Sequence, residues 1–225
     1  MGKKIISFCL YGGFRIYCIG AIKNAILAKK IFPEWKCRYY CGTDVPSIII
    51  NKLKEFDNVE IINIDFNCNS KKWKDDRQYG MMWRFYVMSD PDVDYWLVRD
   101  ADSRISWYEK KCSDIWIEKD KLFHSQSDKN EPLIRGCAFG GKGMIVKNIE
   151  NVIEEYLNKH SISKKKTPFY TDENFMNNHI LPNYIKDNYI RFPRMKNSNC
   201  DFEYKKMKLT KFSGQVLDEN DNLIN

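Results

Sequence analysis

No apolar run in this sequence is long enough to cross a bilayer: the longest, residues 5–11 and 95–98, fall far short of the roughly 20 residues a spanning helix needs. No Cys-x-x-Cys pair occurs among the 8 cysteines, and no Asn-x-Ser/Thr acceptor occurs among the asparagines. Their absence leaves no zinc-finger spacing and no N-glycosylation site. Several cysteines, Cys9, Cys18 and Cys37 among them, fall inside apolar patterns where the thiol acts as a small hydrophobe. A reduced, cytoplasmic-type compartment is therefore expected. Internal repeats and long low-complexity linkers are missing too, which excludes a solenoid or a tethered array.

Lys3 and Lys4 before an apolar stretch have the outline of a signal peptide. The stretch runs into Gly12-Gly13-Phe14-Arg15 without a small-residue cleavage site, so a buried first strand is expected and no signal peptide. Gly2 does not start a myristoylation pattern, because Ile6 stands where a hydroxyl residue is required.

What is present suits an ordinary globular protein. The 225 residues, 43% of them hydrophobic and 30% charged, suffice for one domain with a full core. Residues 1–104 and 105–225 read as its two halves, the second ending in a Lys-rich tail. The net charge of +7 includes 30 acidic residues, so the surface is mixed. Such a balance suits a phosphate-bearing ligand, an anionic polymer or an acidic membrane, without choosing among them. The block Lys164-Lys165-Lys166 reads as a solvated loop.

Periodicity divides the first half into alternating strands and helices. A continuous apolar run at residues 4–11 predicts a central strand, and residues 36–41, 59–64 and 95–98 read as three more. Helical spacing of Ile16, Ile19, Ile22, Ile26 and Leu27 predicts a helix up to Pro33, with further helices at 46–56 and 81–88. Residues 70–76 read as a loop. This rhythm implies right-handed βαβ units and a mostly parallel sheet. Beyond residue 104 the pattern loosens. Helices are expected at 107–118, 148–159 and 172–179, a short strand at 122–125, and a turn-rich segment at 136–141.

The sharpest chemical feature is Asp100-Ala101-Asp102, directly after the fourth strand. Ligands of open α/β sheets bind beyond the carboxyl ends of strands. Two carboxylates one residue apart reach a single divalent cation if the backbone turns there, and hard oxygen ligands with open positions suit Mg²⁺ or Mn²⁺ bridging a pyrophosphate. A strand-ending turn pair is the structural alternative.

Around it stand Tyr79-Gly80-Met81-Met82-Trp83-Arg84-Phe85, Tyr95-Trp96-Leu97-Val98-Arg99-Asp100-Ala101-Asp102-Ser103-Arg104 and Phe123-His124. Ile134-Arg135-Gly136-Cys137-Ala138-Phe139-Gly140 and Tyr170-Thr171-Asp172-Glu173-Asn174-Phe175 follow. In order and approximate spacing, over about Lys4 to Leu217, the chain resembles the GT-A fold glycosyltransferases. Within them it resembles the small enzymes of large DNA viruses and related bacterial sequences. The resemblance implies an α/β fold with a Rossmann-like, mostly parallel central sheet flanked by helices. It also implies transfer of a sugar from a nucleoside diphosphate sugar, a UDP-sugar foremost, to a glycan hydroxyl with Mn²⁺ or Mg²⁺.

On that resemblance, Tyr11 and Gly12 border the uracil and ribose, Arg15 reaches the phosphates, and Arg84 and Arg99 belong to the donor site. Asp100 contacts the ribose or the metal, Asp102 is the principal metal ligand, and Ala101 lies between them. Gly136, Phe139, Gly140 and His124 are assigned to the acceptor. Asp172 is the first candidate for the base that an inverting transfer needs, and Glu173 the second. Ser125-Gln126-Ser127, ahead of Asp128, departs from the basic residue the family shows. The late metal-binding histidine of retaining members is displaced or absent, since the last histidine is His179. The resemblance makes residues 1–104 the nucleotide-binding half and 105–225 the acceptor half, in whose tail Lys205, Lys206 and Lys208 read as solvated, with diphosphate contact as the alternative. Two other classes remain open: a haloacid-dehalogenase-like phosphatase, and a non-catalytic basic module for glycan or nucleic acid. The phosphatase normally carries its Asp-x-Asp after the first strand. The module would need a basic helix or an aromatic RNA-binding signature, neither of which occurs.

Overall fold

The computed structural model describes residues 2–65, 77–160, 170–194 and 214–224. The expectations for residues 70–76, for Lys164 to Lys166, and for Lys205, Lys206 and Lys208 lie outside them. The first half follows the predicted rhythm: β1 (Lys3–Leu10), α1 (Arg15–Ile31), β2 (Lys36–Gly42), α2 (Ser47–Lys54) and β3 (Val59–Ile64). Next come α3 (Arg77–Met82), which runs on as a 3-10 helix over Trp83–Ser89, and β4 (Val93–Val98). β1 is central, pairing in parallel with β2 on one side and β4 on the other, while β3 adds outside β2.

That position explains the unbroken apolar run of β1, because both its faces are covered. Ile6, Phe8 and Leu10 pack in the cluster that contains Ala21, Ala25 and Ala28 of α1. Ile5 belongs to the opposite cluster, with Met82, Phe85 and Trp96. The alanines keep the sheet-facing side of α1 small, and Lys29 and Lys30 in its last turn complement the helix dipole.

The second half comprises α4 (Trp107–Glu118), β5 (Phe123–Gln126), β6 (Phe139–Lys142) and α5 (Ile149–His160). It ends with α6 (Thr171–Phe175), which continues as a π-helix over Met176–Ile185, and β7 (Tyr189–Phe192). Ser106 caps α4, its Oγ accepting the Glu109 N–H at 3.3 Å. Strand order is β3-β2-β1-β4-β6-β5-β7 in one seven-stranded sheet. β6 runs antiparallel between β4 and β5, and β7 pairs in parallel with β5.

Three sequence expectations change here. The glycine-rich stretch at 136–141 is not all turn, because its second part forms β6. Gly141 faces Trp96 so closely that a Cβ would overlap the indole, so glycine here makes room for a ring. β7 was not anticipated. The helix expected over 172–179 extends to Ile185 by widening, with Pro182 inside it. Proline lacks the N–H that a regular helix would use there.

The acceptor role expected of His124 gives way to a core one. On β5 it is 1% exposed, with its ring centroid 4.5 Å from that of Trp116 and 6.1 Å from that of Phe192. Neither ring nitrogen has a hydrogen-bond partner among the described residues. Burial of this unpaired imidazole pushes its pKa down to about 3, from the ordinary 6.5. Between those values the unfolded chain binds a proton that the folded chain refuses, so stability falls as pH drops. At full difference the slope is about 1.4 kcal/mol per pH unit. Urea unfolding at pH 7.5, 6 and 5 should show this slope in the wild type, and His124→Gln should remove that component.

Candidate functional site

The chain leaves β1 through α1 toward β2 on one side, while β4 lies on the other. The crevice beyond their carboxyl ends is a topological switch point, where open α/β sheets bind ligands. A cavity of about 250 Å³ lies there. Its walls are Cys9, Leu10 and Tyr11 at the end of β1, Tyr17 on α1, Met81 and Arg84, and Asp100, Ala101 and Asp102 after β4. Gly136 and, at the start of α6, Asp172 and Glu173 complete it.

Carboxylates from separate segments converge on this space. A Cβ placed on Gly136 would stand 3.5 Å from Glu173 Oε1, 3.7 Å from Asp172 Oδ2 and 3.8 Å from Asp100 Oδ2. A Cβ there would make ordinary van der Waals contact with all three carboxylates, so a longer side chain would enter the space between them. Arg84 compensates the charge: it is 2% exposed, donates from Nη1 to Asp100, and donates from Nη2 to Asp172 Oδ2 at 2.5 Å. Burial alone would lower the Arg84 pKa, but Asp172 and the neighbouring thiols and phenol outweigh it and raise it. The Arg84 carbonyl accepts the buried Ser7 hydroxyl of β1 at 2.7 Å, which fixes the short helix to the sheet.

Asp102 is 9% exposed. Burial raises its carboxyl above the usual carboxylate range, opposed by Arg84, its own backbone N–H, Arg104 and Arg99. Glu173 Oε1 accepts the Gly136 N–H at 2.9 Å. One turn later, Asn177 accepts the Ile134 N–H at 3.0 Å and donates to the Ile134 carbonyl at 2.6 Å. Helix α6 and its extension therefore hold segment 134–136 against the cavity.

The backbone of the 100–102 turn is fixed from α1. Asn24, fully buried, donates to the carbonyls of Ala101 at 3.2 Å and Ser103 at 2.7 Å. Its Oδ1 accepts the Ile105 N–H at 3.0 Å. One turn earlier, a Cβ on Gly20 would overlap the Ala101 carbonyl oxygen. These residues escaped the sequence reading, although a glycine inside a helix and an asparagine on its apolar face are signals of close approach.

Of the residues singled out from sequence, Tyr11, Arg84, Asp100, Ala101, Asp102, Gly136, Asp172 and Glu173 line one cavity. Gly12 does not; it forms the turn after β1 with φ +68°. Arg15 stands outside, its side chain 80% exposed and 3.6 Å from Glu219. Arg99 is turned into the core, bonded to Ser103 Oγ at 2.9 Å and ion-paired with the buried Glu109 at 3.2 Å. Burial raises the Glu109 carboxyl, and Arg99 opposes the rise. Phe139 packs in the core with Trp96 and Phe123, and a Cβ on Gly140 would come within 2.5 Å of the Trp96 carbonyl. His179 lies among Tyr156, Phe175 and Tyr184 rather than at the cavity. The resemblance pointed to Phe139 and Gly140, but both lie within β6, packed against Trp96.

No protein-family model and no curated protein sequence matches the chain. Solved structures do. Galactosyltransferase LgtC in complex with donor and acceptor sugar analogs superposes with a TM-score of 0.56 at 13% identity, over 84% of this chain and 72% of that one. An active-site mutant of LgtC gives 0.55 at 14% identity with the same coverage. A glycosyltransferase involved in glycosylation of the major capsid of PBCV-1 gives 0.48 at 14% identity, over 91% of this chain and 87% of that one. The chain has the GT-A fold.

Removing Asn24 takes away three hydrogen bonds and leaves the Ile105 N–H without its acceptor, so Asn24→Ala should cost about 2–3 kcal/mol in equilibrium unfolding. Arg84→Met, which leaves buried Asp172 uncompensated, should cost about 3–5 kcal/mol in the same assay.

Proposed function

We propose that this chain is a metal-dependent glycosyltransferase, moving a sugar from a nucleoside diphosphate sugar, a UDP-sugar foremost, to a hydroxyl of a glycan acceptor. The observation that carries this reading is the position of Asp100 and Asp102 on the wall of the switch-point cavity, with Asp172 and Glu173 on the same cavity. The fold shared with a galactosyltransferase crystallised with donor and acceptor sugar analogs supports it. β1 ends in Leu10-Tyr11-Gly12 with no carboxylate, which does not fit a phosphatase built on a nucleophilic aspartate after the first strand.

Among the described residues no three side chains form a complete metal cage. Two carboxylates with open positions nevertheless suit Mg²⁺ or Mn²⁺, which characteristically take one or two protein carboxylates and fill the rest with substrate phosphate and water. Asp102, and Asp100 once Arg84 yields it, would hold that ion, which when bound neutralises charge on the departing nucleoside diphosphate. Arg84 lies beside both and supplies a fixed positive charge to the diphosphate side. Tyr11, braced edge-on by Trp83 at 5.8 Å, offers its ring to the base. Burial pushes the Tyr11 phenol well up, so its hydroxyl stays a donor at neutral pH.

In the transfer itself, an acceptor oxygen bonds to the anomeric carbon as the bond to the diphosphate oxygen breaks. The hydroxyl proton passes to a carboxylate. Asp172 is the first candidate for that group and Glu173 the second. Asp172 is oriented by Arg84, whereas Glu173 already accepts the Gly136 N–H.

Titration calorimetry of UDP with and without Mn²⁺ tests the reading. Binding that requires the metal and disappears in Asp102→Ala is expected. No nucleotide binding under any divalent metal would overturn it. Salt-sensitive polymer affinity untouched by Asp102→Ala would point to a binding module instead.

A further inference from the structure

The 100–102 turn has a second holder, far away in sequence. Segment 214–224 folds back onto it, and Leu217, fully buried, donates its N–H to the Asp102 carbonyl at 2.9 Å. The segment is organised by its own bonds. Asp218 Oδ1 accepts the N–H groups of Asn220 and Asn222, each at 2.8 Å. Asn222 Nδ2 donates to Asp218 Oδ2 at 2.9 Å, and Leu217 bridges Leu223 in antiparallel fashion. This small turn presents two oxygens outward, the Asp221 carboxylate and the Asp218 carbonyl.

Arg104, 2% exposed, takes both of them. Its Nε donates to Asp221 Oδ1 and its Nη2 to the Asp218 carbonyl, each at 2.9 Å. Its Nη1 points the other way, to the carbonyls of Ser103 at 3.2 Å and Ala101 at 3.5 Å. One guanidinium thereby joins segment 214–224 to the turn that carries Asp100 and Asp102. Lys23 of α1 takes the remaining Asp221 oxygen at 2.6 Å. Asp221 has φ +66°, a left-handed conformation that Asp tolerates better than most residues because its short side chain bonds locally.

We propose that Asp221 is a positioning residue of the donor site. Acting through Arg104, it fixes the backbone from which Asp100 and Asp102 project, so segment 214–224 is a working part of the site. The proposal rests on the donor reading above for its ligand, but not for its structural arm. Two carboxylates that must meet one cation within a few tenths of an ångström need a backbone held on several sides. Asn24 holds this one from α1, and Arg104 with Leu217 holds it from the opposite end of the chain.

Asp221→Asn in the full chain keeps the side-chain shape and removes the charge that compensates Arg104. Two measurements decide. Amide hydrogen exchange should show lost protection over residues 101–105, and calorimetry should show Mn²⁺-dependent UDP binding weakened on the order of 10-fold. Asp221→Glu should recover part of both. Ile153→Val, a core change on α5, should lower the melting temperature while leaving both readouts at wild-type values. Should Asp221→Asn fail to fold, Lys23→Met releases one oxygen of the same carboxylate and should weaken binding about 3-fold, in keeping with a partly exposed ion pair. Unchanged exchange over 101–105 in a folded Asp221→Asn protein would overturn the proposal. A wild-type protein that binds no UDP would count against the donor reading alone, and the exchange result would still decide the role of Asp221.

Discussion

Four carboxylates cannot all stay ionised in one small cavity without a cation among them, and that constraint organises the site. Asp100, Asp102, Asp172 and Glu173 all line the same space, and the buried Arg84 is the charge that lets two of them stay there. Its demands reach outward. The short helix carrying Arg84 is tied to β1 through Ser7, and Asp172 must begin a helix that delivers it opposite the β4 end. One guanidinium thus ties α6 to the β4 end, and Glu173 and Asn177 carry the tie on to segment 134–136.

A division of labour follows along the turn after β4. Asp100 and Asp102 turn their side chains to the cavity, while the carbonyls of Ala101, Asp102 and Ser103 are bonded to Asn24, Leu217 and Arg104. Side chains that must stay available to a ligand cannot also hold themselves in place. Backbone hydrogen bonds do that work, and they come from residues that never face the ligand space.

How much of this could be read from the chain depended on how local the signal was. β1 declares itself through a continuous apolar run, because a strand covered on both faces has no polar side to show, while β2, β3 and β4 show through their place between helical segments. The Asp-x-Asp pair was legible because its meaning depends only on the strand end beside it. β6 was not, since glycines that make room for Trp96 have the composition of a turn. His124 and Phe139 entered the site reading through the resemblance; only the pleat decides which way they face, and it turns both into the core. Asn24, Arg104 and Asp221 were out of reach for another reason. Their long-range partners lie 77 to 198 residues away, and no periodicity records such a pairing.

That separation also bears on time. Arg104 precedes Asp221 by 117 residues. A chain made at about 5–20 residues per second would complete the second roughly 6–23 s after the first. During that interval the sheet from β1 to β4 can form, yet the Arg104 guanidinium has no acceptors from segment 214–224. The turn after β4 is therefore among the last features to reach its final shape, although the strand that carries it is among the first that could fold.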